Sequence, residues 1–380
     1  MDVRASNKEY DNMKIAFTLL ISLISLTSFS AERVRALKPK YTSKMTVAGY
    51  TGESTLTNFP VAVRISPSTI EGFSYDQCKG QDDISFSDAN GMTLPYEIES
   101  WNTGGESLAW VSIPEVTTNT PTTFTMNWKH SVEPQLNSTS VWINADYKGV
   151  WHMNEYDASE LKQSDSTGNG FTVNYTASSR ASGIADSSLV GKTFYRKFDK
   201  TTVGLCATTP NLSSVMKMNW DGCVLSGWAY YATYGASGQQ HFLWVNTSSS
   251  GSYYWGITTQ SYTLRSKFGT KGGETLGTGL SPEKGWFHWA IRIKNKTLRQ
   301  YFLNGVLVQE KTMDAKYATL STTSEWTCGG VTGYIGEVRY QNVAASDDWV
   351  KAEYDSLINK EFIVASPAVR RPDALQFIIR

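Results

Sequence analysis

Aromatic and amide side chains are concentrated in residues 228–262, among many Gly and Ser residues. Flat aromatic faces stack on pyranose rings, and amide or imidazole groups beside them hydrogen-bond sugar hydroxyls. The sequence therefore predicts a carbohydrate-binding surface in this segment. Its candidate residues are Trp228, Tyr231, His241, Trp244, Asn246, Tyr254 and Trp255. Neighbours along a strand face opposite sides, so part of this set could instead form core, with Trp228 and Tyr230 as the first candidates.

Three acids, Glu155, Asp157 and Glu160, have a Glu-x-Asp-x-x-Glu spacing. This spacing resembles that of retaining glucanases with a concanavalin A-like fold, in which the outer acids act as nucleophile and acid/base about 5 Å apart. That chemistry needs all three acids on one face of a strand. Here the triplet enters a polar stretch and lacks the hydrophobic residue expected after the first Glu. We therefore expect a protein without catalytic activity, and a glycoside hydrolase is the alternative.

The same polar stretch contains candidate calcium ligands, Asp157, Asp165 and Asn169, whose oxygens suit a hard cation. The segment Asp165–Gly170 is also ordinary turn sequence, in which Asp and Asn bond their own backbone. The turn is the favoured interpretation. Ca²⁺ is the one cofactor that we consider.

The chain has four cysteines, Cys78, Cys206, Cys223 and Cys328, which allow three pairings. A disulfide between Cys206 and Cys223 would close a short loop, and the sequence leaves the pairing open. The sequence has no Cys-x-x-Cys pair and no two His at ligand spacing, which argues against a transition-metal site.

Charge and composition exclude several classes of partner. Lys plus Arg and Asp plus Glu both number 35, so no basic field exists to attract nucleic acid or anionic lipid. Charged residues make up 18% of the chain and aromatic residues 13%, which is typical of a β-rich secreted protein.

The N-terminal residues 1–30 have the pattern of a signal peptide. Lys14 precedes an apolar run, residues 15–26, and small and polar residues follow it up to an expected cleavage after Ser30. Met13 would be a better start than Met1. The run is shorter than the about 20 residues of a membrane span, so we expect an exported chain without a transmembrane segment. The alternatives are an uncleaved signal anchor and a lipoprotein. The sequence argues against the lipoprotein, because no cysteine follows the apolar run to carry a lipid.

Residues 38–131 read as a first module of short strands. Apolar residues alternate with others in 59–65, and Asp88–Gly91 supplies turn residues after a second alternating segment. Two further strands are predicted at 108–113 and 124–128. A small antiparallel β-sandwich is expected.

Several phrases of this module, among them Leu94–Trp101 and Ala109–Pro114, resemble a bacterial surface-protein domain known only as a domain of unknown function. That family often precedes LamG-like jelly rolls or, in some proteins, channel subunits of biopolymer transport. The resemblance implies that a jelly roll follows this module. In residues 132–144, Pro, Asn, Ser and Thr interrupt any strand or helix pattern, which predicts a short linker.

The second module, residues 145–361, opens with Gly149–Glu155 and Asp165–Gly170, which resemble the start of a LamG jelly roll. Asn304-Gly305 predicts a hairpin with a primed turn. Ser346 is expected to cap a helix with Val350, Tyr354 and Leu357 on its buried stripe. Residues 362–380 form a tail without an assignment.

We therefore expect an all-β protein, a small antiparallel β-sandwich followed by a concanavalin A-like (LamG-type) jelly roll with one C-terminal helix. The expected function is non-catalytic binding of a glycan or a cell-envelope component by a secreted or cell-surface protein. A structural or adhesive envelope module remains an alternative.

Overall fold

A computed structural model describes residues 39–118, 120–130, 134, 137–154, 162–175, 184–185, 195–198, 206–209, 219, 221–231, 240–246, 254–260, 263–269, 275–277, 285–312, 325–328 and 333–372. Within these ranges the chain is built from antiparallel strands, which confirms the all-β prediction.

In chain order the strands are β1 (Tyr41–Val47), β2 (Leu56–Ile65), β3 (Ser85–Ser87), β4 (Tyr96–Ser100), β5 (Ser107–Val116), β6 (Thr122–Trp128), β7 (Tyr147–Trp151), β8 (Lys162–Gln163), β9 (Thr172–Tyr175), β10 (Ile184–Ala185), β11 (Tyr195–Phe198), β12 (Cys206–Thr209), β13 (Gly222–Tyr231), β14 (Gln240–Asn246), β15 (Tyr254–Gln260), β16 (Thr263–Gly269), β17 (Thr275–Gly277), β18 (Gly285–Lys294), β19 (Leu298–Leu303), β20 (Val306–Thr312), β21 (Glu325–Cys328), β22 (Gly333–Gln341), β23 (Ile363–Ala365) and β24 (Val369–Arg370). The described α-helices are α1 (Ser138–Ile143) and α2 (Asp347–Ile358).

The first module has two sheets, β2-β5-β4 and β23-β1-β6-β3, and β24 pairs with β1 as well. The predicted turn at Asp88 is present: its carboxylate accepts the backbone N–H groups of Asn90 at 2.9 Å and Met92 at 2.8 Å. Gly91 takes φ 82°, a left-handed conformation that favours glycine.

Part of the segment expected to be an unassigned tail belongs to this first module. Phe362 is fully buried, and its carbonyl accepts the backbone N–H groups of Ala48 at 3.0 Å and Gly49 at 3.2 Å. A Cβ on Gly49 would lie 2.6 Å from Phe362 Cα, so only glycine permits this approach. Strands β23 and β24 then extend the sheet along β1.

The residues expected to form a linker also differ from the prediction, because they contain helix α1. Val141 and Trp142 are fully buried in it and extend the apolar core of the first module. Two large apolar side chains in a short polar segment gain more by burial than by remaining in a solvated linker.

In the second module the largest described sheet has the order β10-β11-β22-β13-β18-β19-β20, and β7 also pairs with β22. A five-stranded sheet has the order β17-β16-β15-β14-β21, and a three-stranded sheet the order β12-β9-β8. The predicted primed turn between β19 and β20 is present, since Asn304 and Gly305 have φ 50° and 76°.

Helix α2 is the predicted C-terminal helix, and it lies between the two modules. Its cap, Ser346, accepts the backbone N–H of Trp349 at 3.1 Å. Trp349 packs edge-on against Phe59 of β2, and Tyr354 stacks on Trp228 of β13. Because the helix is in contact on two sides, Trp349, Glu353 and Ser356 are buried in addition to residues of the predicted stripe.

Strand β2 is buried on both of its faces. Its alternation predicts one buried and one solvated face, yet every residue from Phe59 to Ile65 is buried. Helix α2 lies along the edge of β2 that pairs with no described strand, where the Ser356 hydroxyl accepts the backbone N–H of Ala62 at 2.8 Å, and its Leu357 carbonyl accepts the guanidinium of Arg64 from the second face.

Candidate functional site

Strands β14 and β15 bring together residues that the sequence assigned to sugar binding. Asn246 lies opposite Tyr254, and Trp244 lies opposite Gly256. Directly opposed residues of an antiparallel pair share a face, as do residues two apart along one strand. Trp244, Asn246 and Tyr254 therefore lie on the same face of the five-stranded sheet.

A β-bulge adds His241 to this face. The register shifts between His241 and Leu243, so that His241 lies opposite Thr258. Thr258 is four residues beyond Tyr254 on β15 and shares its face. Without the bulge, the spacing of three between His241 and Trp244 would place them on opposite faces.

The pairings of β16, β17 and β21 define the rest of this surface, which we call the polar face. Its further positions are Gly256, Thr258, Gln260, Thr263, Arg265, Lys267, Gly269, Thr275, Gly277, Glu325 and Thr327. No aliphatic residue occupies any of these positions.

The opposite surface, which we call the apolar face, is mostly apolar, although Gln240, Thr259 and Ser266 also lie on it. It contains Leu243, Val245, Trp255, Ile257, Leu264, Phe268, Leu276 and Trp326. An antiparallel sheet with one apolar and one polar face packs through the first and leaves the second to solvent. Trp255, a predicted sugar-binding residue, is thus separated from Trp244 and Tyr254.

Trp228, another predicted binding residue, is core. It is 2% exposed, stacks on Tyr354 at 5.5 Å between ring centroids and lies beside His288. Neither face of its indole is available to a sugar, which corrects the prediction for this residue. Tyr231 is the last residue of β13, and its side chain lies outside the described part of the structure.

The predicted calcium ligand Asp165 has the hydrogen bonds of a turn. Its carboxylate accepts the backbone N–H groups of Val150 and Thr167, both at 3.0 Å, and the Thr167 hydroxyl at 2.7 Å. The amide of Asn169 donates to the Lys148 carbonyl at 3.1 Å. These bonds fit the turn interpretation, and those to Asp165 occupy carboxylate oxygens that calcium would need.

The acidic triplet Glu155, Asp157 and Glu160 lies outside the described residues. The structure therefore does not test Asp157 as a calcium ligand. Cys223 is a buried free thiol, so the structure does not contain the considered disulfide with Cys206.

Sequence reasoning missed a buried charged cluster between the modules. His152, directly after β7, is fully buried, and its Nδ1 lies 2.8 Å from Glu337 Oε1 and 3.4 Å from Glu99 Oε2. Its Nε2 lies 3.4 Å from Glu97 Oε2. Glu97 and Glu99 are on β4 of the first module and Glu337 is on β22 of the second. We call these four residues the carboxylate cage.

Indole and hydroxyl donors hold the two carboxylates from β4 in place. Trp110 Nε1 donates to Glu99 at 2.7 Å, and Trp142 Nε1 donates to Glu97 at 2.5 Å. The Ser166 hydroxyl donates to the other oxygen of Glu97 at 2.8 Å.

Arg339 continues the cluster toward helix α2. Its guanidinium donates to Glu337 at 2.8 Å, lies 3.4 Å from Glu353, and stacks over the indoles of Trp110 and Trp142. Tyr147 donates to the same Glu353 oxygen. The charges of β4, β7, β22 and α2 thus form one network.

These surroundings decide which groups are charged. Burial by itself would lower the pKa of His152, but the carboxylates of Glu337, Glu99 and Glu97 outweigh it and raise the pKa to about 10. Burial would raise the pKa of Glu97, but His152 and the hydrogen bonds to the carboxylate hold it below its ordinary value. Burial, with Arg339 nearby, lowers the pKa of His288 to about 3.

Glu99, His152 and Glu337 offer ligand atoms within 4.8 Å of one another, so they are the described residues that could hold a metal ion. At neutral pH, however, His152 is protonated and donates to Glu337. A metal ion would have to displace that proton. The imidazolium itself is therefore the cation that balances the carboxylate cage.

The sequence contains a signal for this charged cluster. Glu97 and His152 lie in two phrases already noted for their resemblance to known modules, Leu94–Trp101 and Gly149–Glu155, and Glu337 lies in a third, Tyr334–Tyr340. Each phrase places ionisable residues among aromatic and apolar ones. Buried charges require partners, so three such phrases could have indicated a shared cluster.

Comparisons with known proteins support part of the sequence interpretation. Residues 80–166 match a protein family described as "Domain of unknown function (DUF2341)". The match runs from the first module through α1 and β7 to the turn at Asp165, and so includes three members of the carboxylate cage. No curated protein matches the chain significantly.

Several solved structures are distantly similar. The binding domain of Paraclostridial Mosquitocidal Protein 1 has 12% identity and a TM-score of 0.44, with 56% of this chain and 53% of that chain covered. The binding domain of botulinum neurotoxin DC, solved with rat synaptotagmin II, has 12% identity and a TM-score of 0.43, with coverages of 57% and 52%. The binding domain of botulinum neurotoxin serotype D/C VPI 5993 has the same identity and TM-score, with coverages of 57% and 53%.

This chain thus spans about half the length of those binding domains. Likeness at this level carries no argument about function. Among the helices that the structure describes, none has the length and apolar character needed to cross a membrane.

Proposed function

We propose that this protein is a non-catalytic carbohydrate-binding protein and that its ligand lies on the polar face of the five-stranded sheet. The observation that carries the proposal is the gathering of His241, Trp244, Asn246 and Tyr254 on one face without aliphatic residues. Aromatic, imidazole and amide groups together supply ring stacking and hydrogen bonds to hydroxyls.

Gly256 supports this placement. It lies between Trp244 on β14 and Lys267 on β16, and Tyr254 and Thr258 flank it on its own strand. A glycine inside a strand weakens the strand unless a ligand or another backbone must approach closely. We infer that a sugar ring lies above Gly256, beside the indole of Trp244.

The N-terminal sequence adds the location. We infer that residues 1–30 direct export and that the binding face acts outside the cytoplasm, in the periplasm, at the cell surface or in the medium. The first module and the carboxylate cage then fix the orientation of the second. The LamG-type assignment of the second module is part of this proposal.

A glycan array with the protein and its Trp244→Ala and Tyr254→Ala variants tests the proposal. We expect the protein to bind a defined set of glycans, and each variant to lose about tenfold or more in affinity with its melting temperature nearly unchanged.

Trp255→Ala is the matched control, because the same side chain is removed from the apolar face. It should lower the melting temperature while glycan affinity at low temperature is retained. The proposal is wrong if no glycan binds, or if both polar-face variants bind as the unmodified protein does.

A further inference from the structure

The pairing of β15 with β16 places two cations on the polar face. Lys267 lies opposite Gly256, and Arg265 lies opposite Thr258. Both are on the strand next to the one that carries Tyr254. We propose that the ligand is an acidic glycan, whose carboxylate or sulfate group is recognised by Lys267 and Arg265. This inference rests on the proposed function.

Distances across the sheet support this assignment. Lys267, Gly256 and Trp244 form one row over three adjacent strands. Neighbouring strands are about 4.8 Å apart, so Lys267 and Trp244 are about 10 Å apart at the backbone. A pyranose ring above Gly256 fits between them, with an anionic substituent near β16.

The negative charge on this face, Glu325, lies away from the two cations. Glu325 is on β21, opposite Asn246 of β14. Strand β21 is three strands from β16, which places Glu325 about 14 Å from β16. His241 is in the row of Arg265 and Thr258. The cationic end of the face is thus at β16 and the acceptor end at β21, which favours a sugar with its anion over β16 and its hydroxyl groups toward Asn246 and Glu325.

Two positions make the cationic end specific for an anion. Arg265 and Lys267 are two residues apart, on one face and about 7 Å apart along β16. Without an anion they repel each other. Arginine offers paired donors that match a carboxylate or a sulfate, and lysine adds a compact charge.

The test uses pairs of ligands with the same sugar backbone, in which one member has its anionic groups esterified or removed. Polygalacturonate and polymannuronate are each compared with their methyl esters, and a sulfated galactan is compared with the desulfated chain. We expect the free acids or the sulfated galactan to bind about tenfold more tightly than their neutral counterparts, with the preference decreasing at high salt. The stronger class identifies the anion as carboxylate or sulfate.

Variants tie this preference to the two cations. Lys267→Gln and Arg265→Gln should each reduce affinity for the acidic glycan about tenfold and leave the neutral counterpart unchanged. Lys44→Gln on β1, an exposed position of the first module, makes the same charge change elsewhere and should have no effect.

The outcomes separate this inference from the proposed function. Equal binding of acid and ester that is still lost in Trp244→Ala overturns the acidic ligand and keeps the sugar-binding face. An acid preference that survives Lys267→Gln, Arg265→Gln and their combination also overturns it. Absence of any glycan binding, or binding that neither Trp244→Ala nor Tyr254→Ala weakens, overturns the proposed function itself.

Discussion

At the scale of single residues, His152 is a buried cation at the boundary between the modules. A buried cation is tolerated only when its desolvation is offset by close partners, and His152 has three carboxylates within 3.4 Å. Those carboxylates depend on it in turn. Removal of the imidazolium would leave Glu97, Glu99 and Glu337 close to one another, with Arg339 beside Glu337 as the remaining cation.

His152→Gln should therefore be strongly destabilising. We expect the free energy of unfolding at pH 7 to fall by roughly 3–5 kcal/mol, measured by urea denaturation. His130→Gln is the matched control, because His130 is also buried but hydrogen-bonds the Ser85 hydroxyl and the backbone of Asn127 through its ring. A loss no larger than in this control would contradict the balancing role of His152.

The pH dependence follows from the raised pKa of His152. The folded state holds the proton more tightly than the unfolded chain, so this stability is fully present below pH ~6.5 and is lost as the pH rises through about 10. Unfolding free energies between pH 6 and 10.5 should fall more steeply in the unmodified protein than in His152→Gln. Parallel curves for the two proteins would exclude a raised pKa.

Cys223 gives a second prediction at this scale. Complete burial raises the pKa of its thiol to about 12, and thiolate is the reactive form. We expect no alkylation of Cys223 by iodoacetamide in the native protein and full alkylation after unfolding without a reductant, followed by peptide mass spectrometry. A peptide that stays unlabelled until it is reduced would instead indicate a disulfide.

At the scale of elements, helix α2 connects the modules. It contributes Trp349 and Ser356 to the side facing β2, and Tyr354 to the side facing β13. Asp348 in its first turn also accepts the backbone N–H groups of Glu53 at 3.1 Å and Ser54 at 2.8 Å. A single helix therefore affects packing in both modules.

Ser346→Ala tests the start of this helix. Loss of the cap to the Trp349 N–H should lower the free energy of unfolding by about 1 kcal/mol, measured by chemical denaturation. Ser346→Asp is the rescue variant, because aspartate also caps and suits the positive end of the helix. If Ala and Asp are equally destabilising, the cap is not what Ser346 contributes.

At the scale of the whole molecule, the apolar core is continuous. It runs from Met45 and Phe59 of the first sandwich through Trp142 and Tyr147 to Phe302 of the largest sheet. The carboxylate cage crosses the same boundary. We therefore expect the modules to unfold together rather than as independent domains.

Phe362→Ala tests this expectation from near the end of the chain. Removal of the fully buried ring should lower stability by roughly 3–5 kcal/mol and lower the melting temperature of the whole protein. Differential scanning calorimetry should show a single transition before and after the substitution. Two transitions, of which only one moves, would show that the modules unfold separately. Phe362→Leu should have a smaller effect.

Sequence periodicity predicted local structure well and packing poorly. The turns at Asp88 and Asn304-Gly305 and the cap at Ser346 follow from short-range geometry and are confirmed. The burial of both faces of β2, the docking of Phe362 and helix α1 depend on distant segments. For the candidate site, the residue types were predictable, but the bulge that brings His241 beside Trp244 was not.

The sequence by itself determined the composition of this molecule, its β-rich elements and the aromatic residues of the proposed glycan face, because these follow from residue type and from contacts within a few positions. Tertiary structure decided the rest. Strand register separated Trp244 and Tyr254 from Trp255, since each step of one residue changes the face. Folding also brought Glu97, His152 and Glu337 together, because a buried charge is stable only beside partners that the chain supplies from far away.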